Sequence, residues 1–235
     1  MLAAAAVCPH PPLLVPEAMG ASGPQRDGDL GALLAACDAA TLGLADAGPD
    51  VIVVVGGAAA TADFDGSAAG SLREYGVRVA VGAGEPVLPL SLTIGSWLLG
   101  RAGLGGGRAR FQAVARDTPV ADCLRLGAEL ARQARRVALL VMGDGPARRA
   151  VGTEGAGDPE VERYEAEVAA ALGGADPGRL ARLAPALDDE LVVAGRAAWQ
   201  VLAGAAEGRR LAGQLRCRVA RYDVSYLVAS WDDIG

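Results

Sequence analysis

The chain is 235 residues long, with 22 basic and 28 acidic residues and a formal net charge of −6. All of the basic residues are arginine, and the single histidine is His10. The absence of lysine excludes a Schiff base, a pyridoxal-phosphate anchor and a P-loop lysine. One histidine excludes a His–His metal pair, so any triad or metal site that uses histidine must use His10.

The composition also limits the cellular compartments and the binding partners that are compatible with this protein. A pI near 4.9 argues against a nucleic-acid scaffold, which needs a basic face. The four cysteines show no C-x-x-C spacing and indicate reduced, buried thiols in a cytoplasmic protein. No stretch reaches the ~18–20 apolar residues of a membrane span. The apolar start stops at Pro9 and has no basic region, so it does not resemble a signal peptide.

The first part of the chain predicts strands and helices in alternation. The run 2–7 predicts a buried strand, closed by a loop that Pro9, Pro11 and Pro12 hold extended. Apolar residues at helical spacing predict a helix over 30–47. The β-branched run 51–55 predicts a strand that is buried on both faces.

The rest of the chain continues the alternation and then becomes mostly helical. Further strands are predicted over 77–82, 111–115 and 137–142, and further helices over 91–100, 119–135, 159–172 and 188–206. The segment 217–231 predicts a terminal hairpin or one long strand. Strands separated by helices predict an α/β fold, here one domain over 1–235 with a central, largely parallel sheet flanked by helices.

Ligands of such folds gather at the carboxyl ends of the strands. His10 follows the first predicted strand, Asp63 and Asp65 follow the second, and Asp144 follows the strand over 137–142. His10 is either a ligand or catalytic residue, or an ordinary loop histidine. Cys8 could face the same side and form a soft-metal pair with it. Asp144 is either a ligand or orienting carboxylate, or simply a turn residue.

The remaining candidates have structural alternatives as well. Arg148 and Arg149 could hold a carboxylate substrate in a bidentate manner, and an ion pair with Asp144 explains them equally well. Asp63-Phe-Asp65-Gly is also ordinary turn chemistry. Glu17 is a further carboxylate downstream of His10. The glycine-rich segment 103–108 ends in arginine and follows a predicted helix, so a flexible loop is favoured over a dinucleotide site.

Five motifs, taken together, resemble one known family. They are Cys8-PHPPLLVP-Glu17, Asp50-VIVVVGG, LLVMGDGPARR at 139–149, VAGRAAWQVLAGAA at 193–206 and YLVASW at 226–231. In this order they resemble actinobacterial proteins of the class III extradiol ring-cleavage dioxygenase superfamily, over nearly the whole chain. The resemblance implies an α/β fold and, in active members, non-haem Fe(II) held by two histidines and a glutamate. A further histidine acts there as acid and base in opening catechol-type rings.

Most of the residues that the resemblance leads us to expect at that iron site are missing from this chain. His10 matches the first iron histidine, and the second falls at Gly57–Ala58. Ala147 stands at the acid–base histidine. The late helix offers Ala198, Trp199 and Gln200 in place of the glutamate. One histidine cannot build this site, so the resemblance implies the fold and a cleft but argues against ring cleavage.

Three hypotheses follow from this disagreement. The first is a degenerate family member that binds a small molecule or a partner at the cleft without ring cleavage. The second is a metal-dependent enzyme with a site rebuilt around His10 and Asp144, for which Fe(II) or another divalent metal is the candidate cofactor. The third is an interaction protein that docks a partner on its helical half, with a homodimer as one form.

Overall fold

A computed structural model describes residues 1–18, 28–146, 159–183, 193–221 and 224–235. Its centre is a seven-stranded sheet in the order β3-β6-β2-β7-β1-β9-β8. The strands of this sheet are β1 Leu2–Cys8, β2 Val51–Ala58, β3 Ala62–Phe64, β6 Ala109–Ala115, β7 Val137–Met142, β8 Leu211–Arg221 and β9 Val224–Asp233. Two short strands, β4 Gly70–Ser71 and β5 Ala80–Val81, pair separately.

Six α-helices within the described residues cover the two faces of the sheet. They are α1 Gly28–Gly43, α2 Leu90–Arg101, α3 Val120–Leu130, α4 Pro159–Gly173, α5 Pro177–Ala181 and α6 Arg196–Ala205. Alternate residues of each strand point to opposite faces. Val53, Leu139 and Val141 therefore pack with α3 to α6. Ile52, Val54 and Leu140 pack with α1 and α2 on the other face. Two apolar cores thus enclose the sheet.

The sheet is mixed, which corrects the prediction of a largely parallel one. The pairs β6-β2, β2-β7 and β7-β1 are parallel and form its centre. Both flanks are antiparallel, with β3 against β6 on one side and β9 and β8 beyond β1 on the other. The strands β8 and β9 are consecutive in the chain and form a hairpin, and hairpin-connected strands pair antiparallel.

Several predicted bounds differ from the structure. The strand predicted over 77–82 shrinks to Ala80–Val81, because its residues are largely exposed and pair only with Gly70–Ser71. The helices predicted to Ala47 and Arg135 end at Gly43 and Leu130. The predicted helix start at Asp188 lies outside the described residues, and α6 begins at Arg196. The hairpin alternative for the C-terminal segment is confirmed.

The four cysteines are free thiols. Burial raises the pKa of Cys37 well above its ordinary value, and a hydrogen bond with Cys8 adds to the rise. Burial also raises the pKa of Cys217, which is only half-buried. Among the described residues, no helix is both long and apolar enough to cross a membrane.

We expect a thiol reagent such as DTNB to modify only Cys217 readily in the native protein. The thiolate is the reactive form. Because the pKa of Cys217 is raised, its rate should keep increasing as the pH passes 9.0. Denaturant should expose all four thiols. The variant Cys217→Ser is the control and should leave no fast phase. Fast modification of this variant would contradict the burial of the other three thiols.

Candidate functional site

The carboxyl ends of β1, β7 and β2 lie side by side at the centre of the sheet. Met142 is the partner of Cys8 on one side and of Gly56 on the other. The loops that follow these strands therefore meet at the carboxyl edge of the sheet, where the strands end, as the sequence predicted for His10 and Asp144. The buried main chain of β1 and β7 aligns them, and the amide of Gly143 donates to the carbonyl of Cys8 at 2.9 Å.

His10 and Asp144 are in contact at this edge. The backbone N–H of His10 donates to Oδ1 of Asp144 at 2.8 Å. The ring nitrogen Nδ1 of His10 lies 3.6 Å from the same oxygen. The side chains of His10 and Asp144 are only 9% and 17% exposed. Asp144 therefore joins the loop after β1 to the loop after β7 and lies beside the imidazole.

Two buried ring nitrogens near this contact have no hydrogen-bond partner among the described residues. One is Nδ1 of His10 and the other is Nε1 of Trp199. A methyl group added to Gly143 would lie 2.7 Å from Nε1 of Trp199, so the indole packs directly on the main chain beside Asp144. An unpaired buried donor costs about 1–3 kcal/mol. Such groups in native proteins call for an explanation such as a catalytic role or a bound molecule.

The position expected for the second histidine, Gly57–Ala58, offers no side chain that can bind a metal. Gly57 lies near the end of β2, and its carbonyl accepts a hydrogen bond from the Ser91 hydroxyl at 2.8 Å. A Cβ atom at Gly57 would lie 3.0 Å from the carbonyl oxygen of Ala194. The segment that leads into α6 therefore occupies the space into which a ligating side chain would project.

At the position expected for the glutamate, the side chain is buried in the core and hydrogen-bonded there. Gln200 is fully buried on α6 and accepts a hydrogen bond from Nη1 of Arg196 at 2.7 Å. Its amide nitrogen donates to the carbonyl of Leu183 at 2.9 Å. Arg196 is also buried and donates to the carbonyls of Arg116 and Thr118. These two side chains hold the loops around α6 and do not offer a carboxylate.

Asp63 and Asp65 do not lie near His10. This corrects the hypothesis that they share a site with it. Asp63 lies on β3, and the strands β6, β2 and β7 separate β3 from β1. Four strand spacings amount to about 19 Å. Asp65 accepts hydrogen bonds from the hydroxyl and the amide of Ser67, which lower its pKa. The turn interpretation of Asp65 is thus the one that the structure supports.

The described structure assigns no role at this carboxyl edge to the other candidate side chains. Glu17 is exposed, and its charge adds to the raised pKa of Arg101, whose main cause is the hydrogen bond to Asp38. Cys8 faces α1, with its sulfur 4.0 Å from the Thr41 hydroxyl, so its predicted pairing with His10 is not formed. Arg148, Arg149 and Ala147 lie outside the described residues.

The residues present do not fit the iron site of the resembled family. Within the described parts of the chain, no group of three or more His, Cys, Asp or Glu side chains is placed to hold a metal ion. Of the expected ligands only His10 is in place, since Gly57 has no side chain and Gln200 is already hydrogen-bonded.

Sequence reasoning undervalued Trp199, Arg196 and Gln200 as parts of this region. They lie on a helix made otherwise of alanine, valine, leucine and glycine, and all of them are buried. Arginine and glutamine four residues apart within such an apolar segment share one helix face. That spacing was a usable signal for a buried polar pair, because a buried charge needs partners.

Comparisons with known proteins support the fold alone. No family profile and no curated protein matches the sequence. Among solved structures, the chain is similar to the uncharacterized protein JW3007 from Escherichia coli K12, with a TM-score of 0.51 and 15% sequence identity. The similarity covers 97% of this chain and 99% of that one. The neighbour therefore supports the α/β architecture along nearly the whole length.

Proposed function

We propose that this protein binds a small molecule at the edge where His10 and Asp144 meet, and that it does so without iron-dependent ring cleavage. In this proposal the chain is a degenerate relative of the class III extradiol dioxygenases. The observation that carries it is the pair of buried ring nitrogens of His10 and Trp199, which have no partner among the described residues and lie next to Asp144 and Gly143 respectively. A bound molecule with hydroxyl or carbonyl oxygens would satisfy both.

The polar groups at this edge define the ligand chemistry. The indole N–H of Trp199 can only donate, and the Asp144 carboxylate can only accept when it is ionised. His10 can do either, depending on its tautomer. A hydroxyl group both donates and accepts, so a hydroxylated ring is the ligand class that fits best. Catechol is the appropriate first probe because the resembled enzymes bind catechol-type diols.

The experiment is a calorimetric titration with catechol, carried out on metal-free protein and on protein incubated with Fe(II) without oxygen. We expect saturable binding in both samples, iron far below one atom per chain and, once air is admitted, no ring-opened product of catechol. The variant His10→Ala should bind at least tenfold more weakly, which corresponds to about 1.4 kcal/mol. The control Asp63→Asn should bind as the wild type does, because Asp63 lies on the edge strand β3, which three strands separate from β1.

Two outcomes would contradict the proposal. Stoichiometric iron together with ring cleavage of catechol would show that the iron chemistry survives. Equal binding by the His10→Ala variant would place the ligand elsewhere. The melting temperatures of both variants should be compared with that of the wild type, so that loss of binding is distinguished from loss of folding.

A rebuilt acid–base enzyme is the second candidate, and the His10–Asp144 contact favours it. A carboxylate beside Nδ1 can orient the imidazole, as in other histidine-based sites. Turnover of a hydroxylated substrate that is lost in both His10→Ala and Asp144→Asn would favour catalysis over binding alone. The hypothesis of a helical docking surface, including a homodimer, stays a prediction.

A further inference from the structure

A second concave region lies at the opposite edge of the sheet, near the amino end of β1. It is a groove of about 710 Å³ between the last turns of α3 and α6. Its floor includes Leu2, Ala131 and Gly204. Because β1 spans seven residues, this floor lies about 20 Å from the loop of His10. The groove is therefore separate from the site of the proposed function.

The charged residues of this groove are mainly cationic. Arg132, Arg135 and Arg209 line it, with Glu207 as the acidic member of the lining. Arg209 already forms an ion pair with Asp233. Arg132 and Arg135 are exposed and form no ion pair with any described residue. Two exposed arginine side chains thus line the groove together with its apolar floor.

We propose that this groove binds a small amphipathic organic anion. The apolar body of the ligand would cover the alanine and glycine floor, and its anionic head would lie between Arg132 and Arg135. Guanidinium groups match carboxylate-type heads in geometry and charge. The volume falls within the range of about 300–1,000 Å³ that is typical of small-molecule sites. A free inorganic ion would leave the floor unused.

The test uses 8-anilinonaphthalene-1-sulfonate, a fluorescent probe with an apolar ring system and one sulfonate. We expect one saturable site on the native protein, with binding at least tenfold weaker in the double variant Arg132→Gln/Arg135→Gln. Raising the salt concentration to about 0.5 M should weaken binding to the wild type, because it screens exposed charges. Far-UV circular dichroism and the melting temperature confirm that the variant is folded.

Two matched controls locate the site. Arg125→Gln removes an arginine from α3, the helix that precedes Arg132 and Arg135, but one that already pairs with Asp122 and Glu129, and it should bind the probe as the wild type does. His10→Ala should also retain binding, because it alters the opposite edge. Absence of saturable binding to the wild type, or equal binding by the double variant, would overturn the proposal. Loss of binding in His10→Ala alone would assign the probe to the other site.

Discussion

The variant Gly204→Ala is expected to lower the free energy of unfolding by about 3 kcal/mol, the upper end of the range typical of overpacking. Gly204 on α6 faces α3, and a methyl group there would overlap the carbonyl oxygen of Leu124. The contact is reciprocal, since a methyl group on Gly127 of α3 would overlap the carbonyl oxygen of Val201 on α6. The obstacle is main chain on both sides, so the helices themselves would have to separate.

Chemical denaturation of Gly204→Ala and of the control Gly100→Ala measures this effect. Gly100 lies in α2 with open space around the position of a Cβ atom. Alanine there should leave the stability unchanged or raise it by up to about 1 kcal/mol, because alanine has the higher helix propensity. For a chain of this size, a loss of about 3 kcal/mol lowers the melting temperature by about 6–12 °C. Equal stability of the two variants would show that α3 and α6 are not in close contact.

The variant Trp231→Ala is expected to lose about 3–5 kcal/mol of stability. Trp231 lies on β9 and is completely buried against the core formed with α3 to α6. Its indole nitrogen donates to the carbonyl of Leu172 at 2.6 Å, which connects β9 to the end of α4. Truncation creates a cavity and also leaves the Leu172 carbonyl without this donor.

Trp97→Ala is the matched control for the loss of a tryptophan. Trp97 is half-buried on α2, where the guanidinium of Arg101 lies 5.0 Å from its ring centre. An exposed cation–π contact contributes about 0.5–1 kcal/mol, so this variant should lose much less stability than Trp231→Ala. Thermal unfolding of the two variants should differ clearly. A comparable loss would mean that Trp231 is less enclosed than the structure shows.

Most of the strands and helices were predictable because their patterns are local. The runs 51–55 and 137–142 are uninterrupted and apolar, and both lie at the centre of the sheet. Strand β3 was missed because its three residues pair only at the edge, against β6. The antiparallel flanks were missed for a related reason. Strand direction depends on which neighbours a strand reaches in space.

The candidate site was predicted in part. The sequence placed His10 and Asp144 at adjoining strand ends, and the structure brings them into contact. It also grouped Asp63 and Asp65 with them, because both follow a central strand in the chain. The structure places β3 at one edge of the sheet, so proximity in sequence to a central strand did not mean proximity to the site.

Composition alone established which reactive residue types this protein lacks. A chain with one histidine cannot form a two-histidine metal site, whatever its fold, because residue types are fixed before folding. Which of the remaining groups meet depends on the tertiary fold. The Asp144 carboxylate reaches the amide of His10 because β1 and β7 are parallel neighbours. The indole of Trp199 lies beside them because α6 packs against β7 and β2, and such long-range contacts are set by packing and not by local spacing.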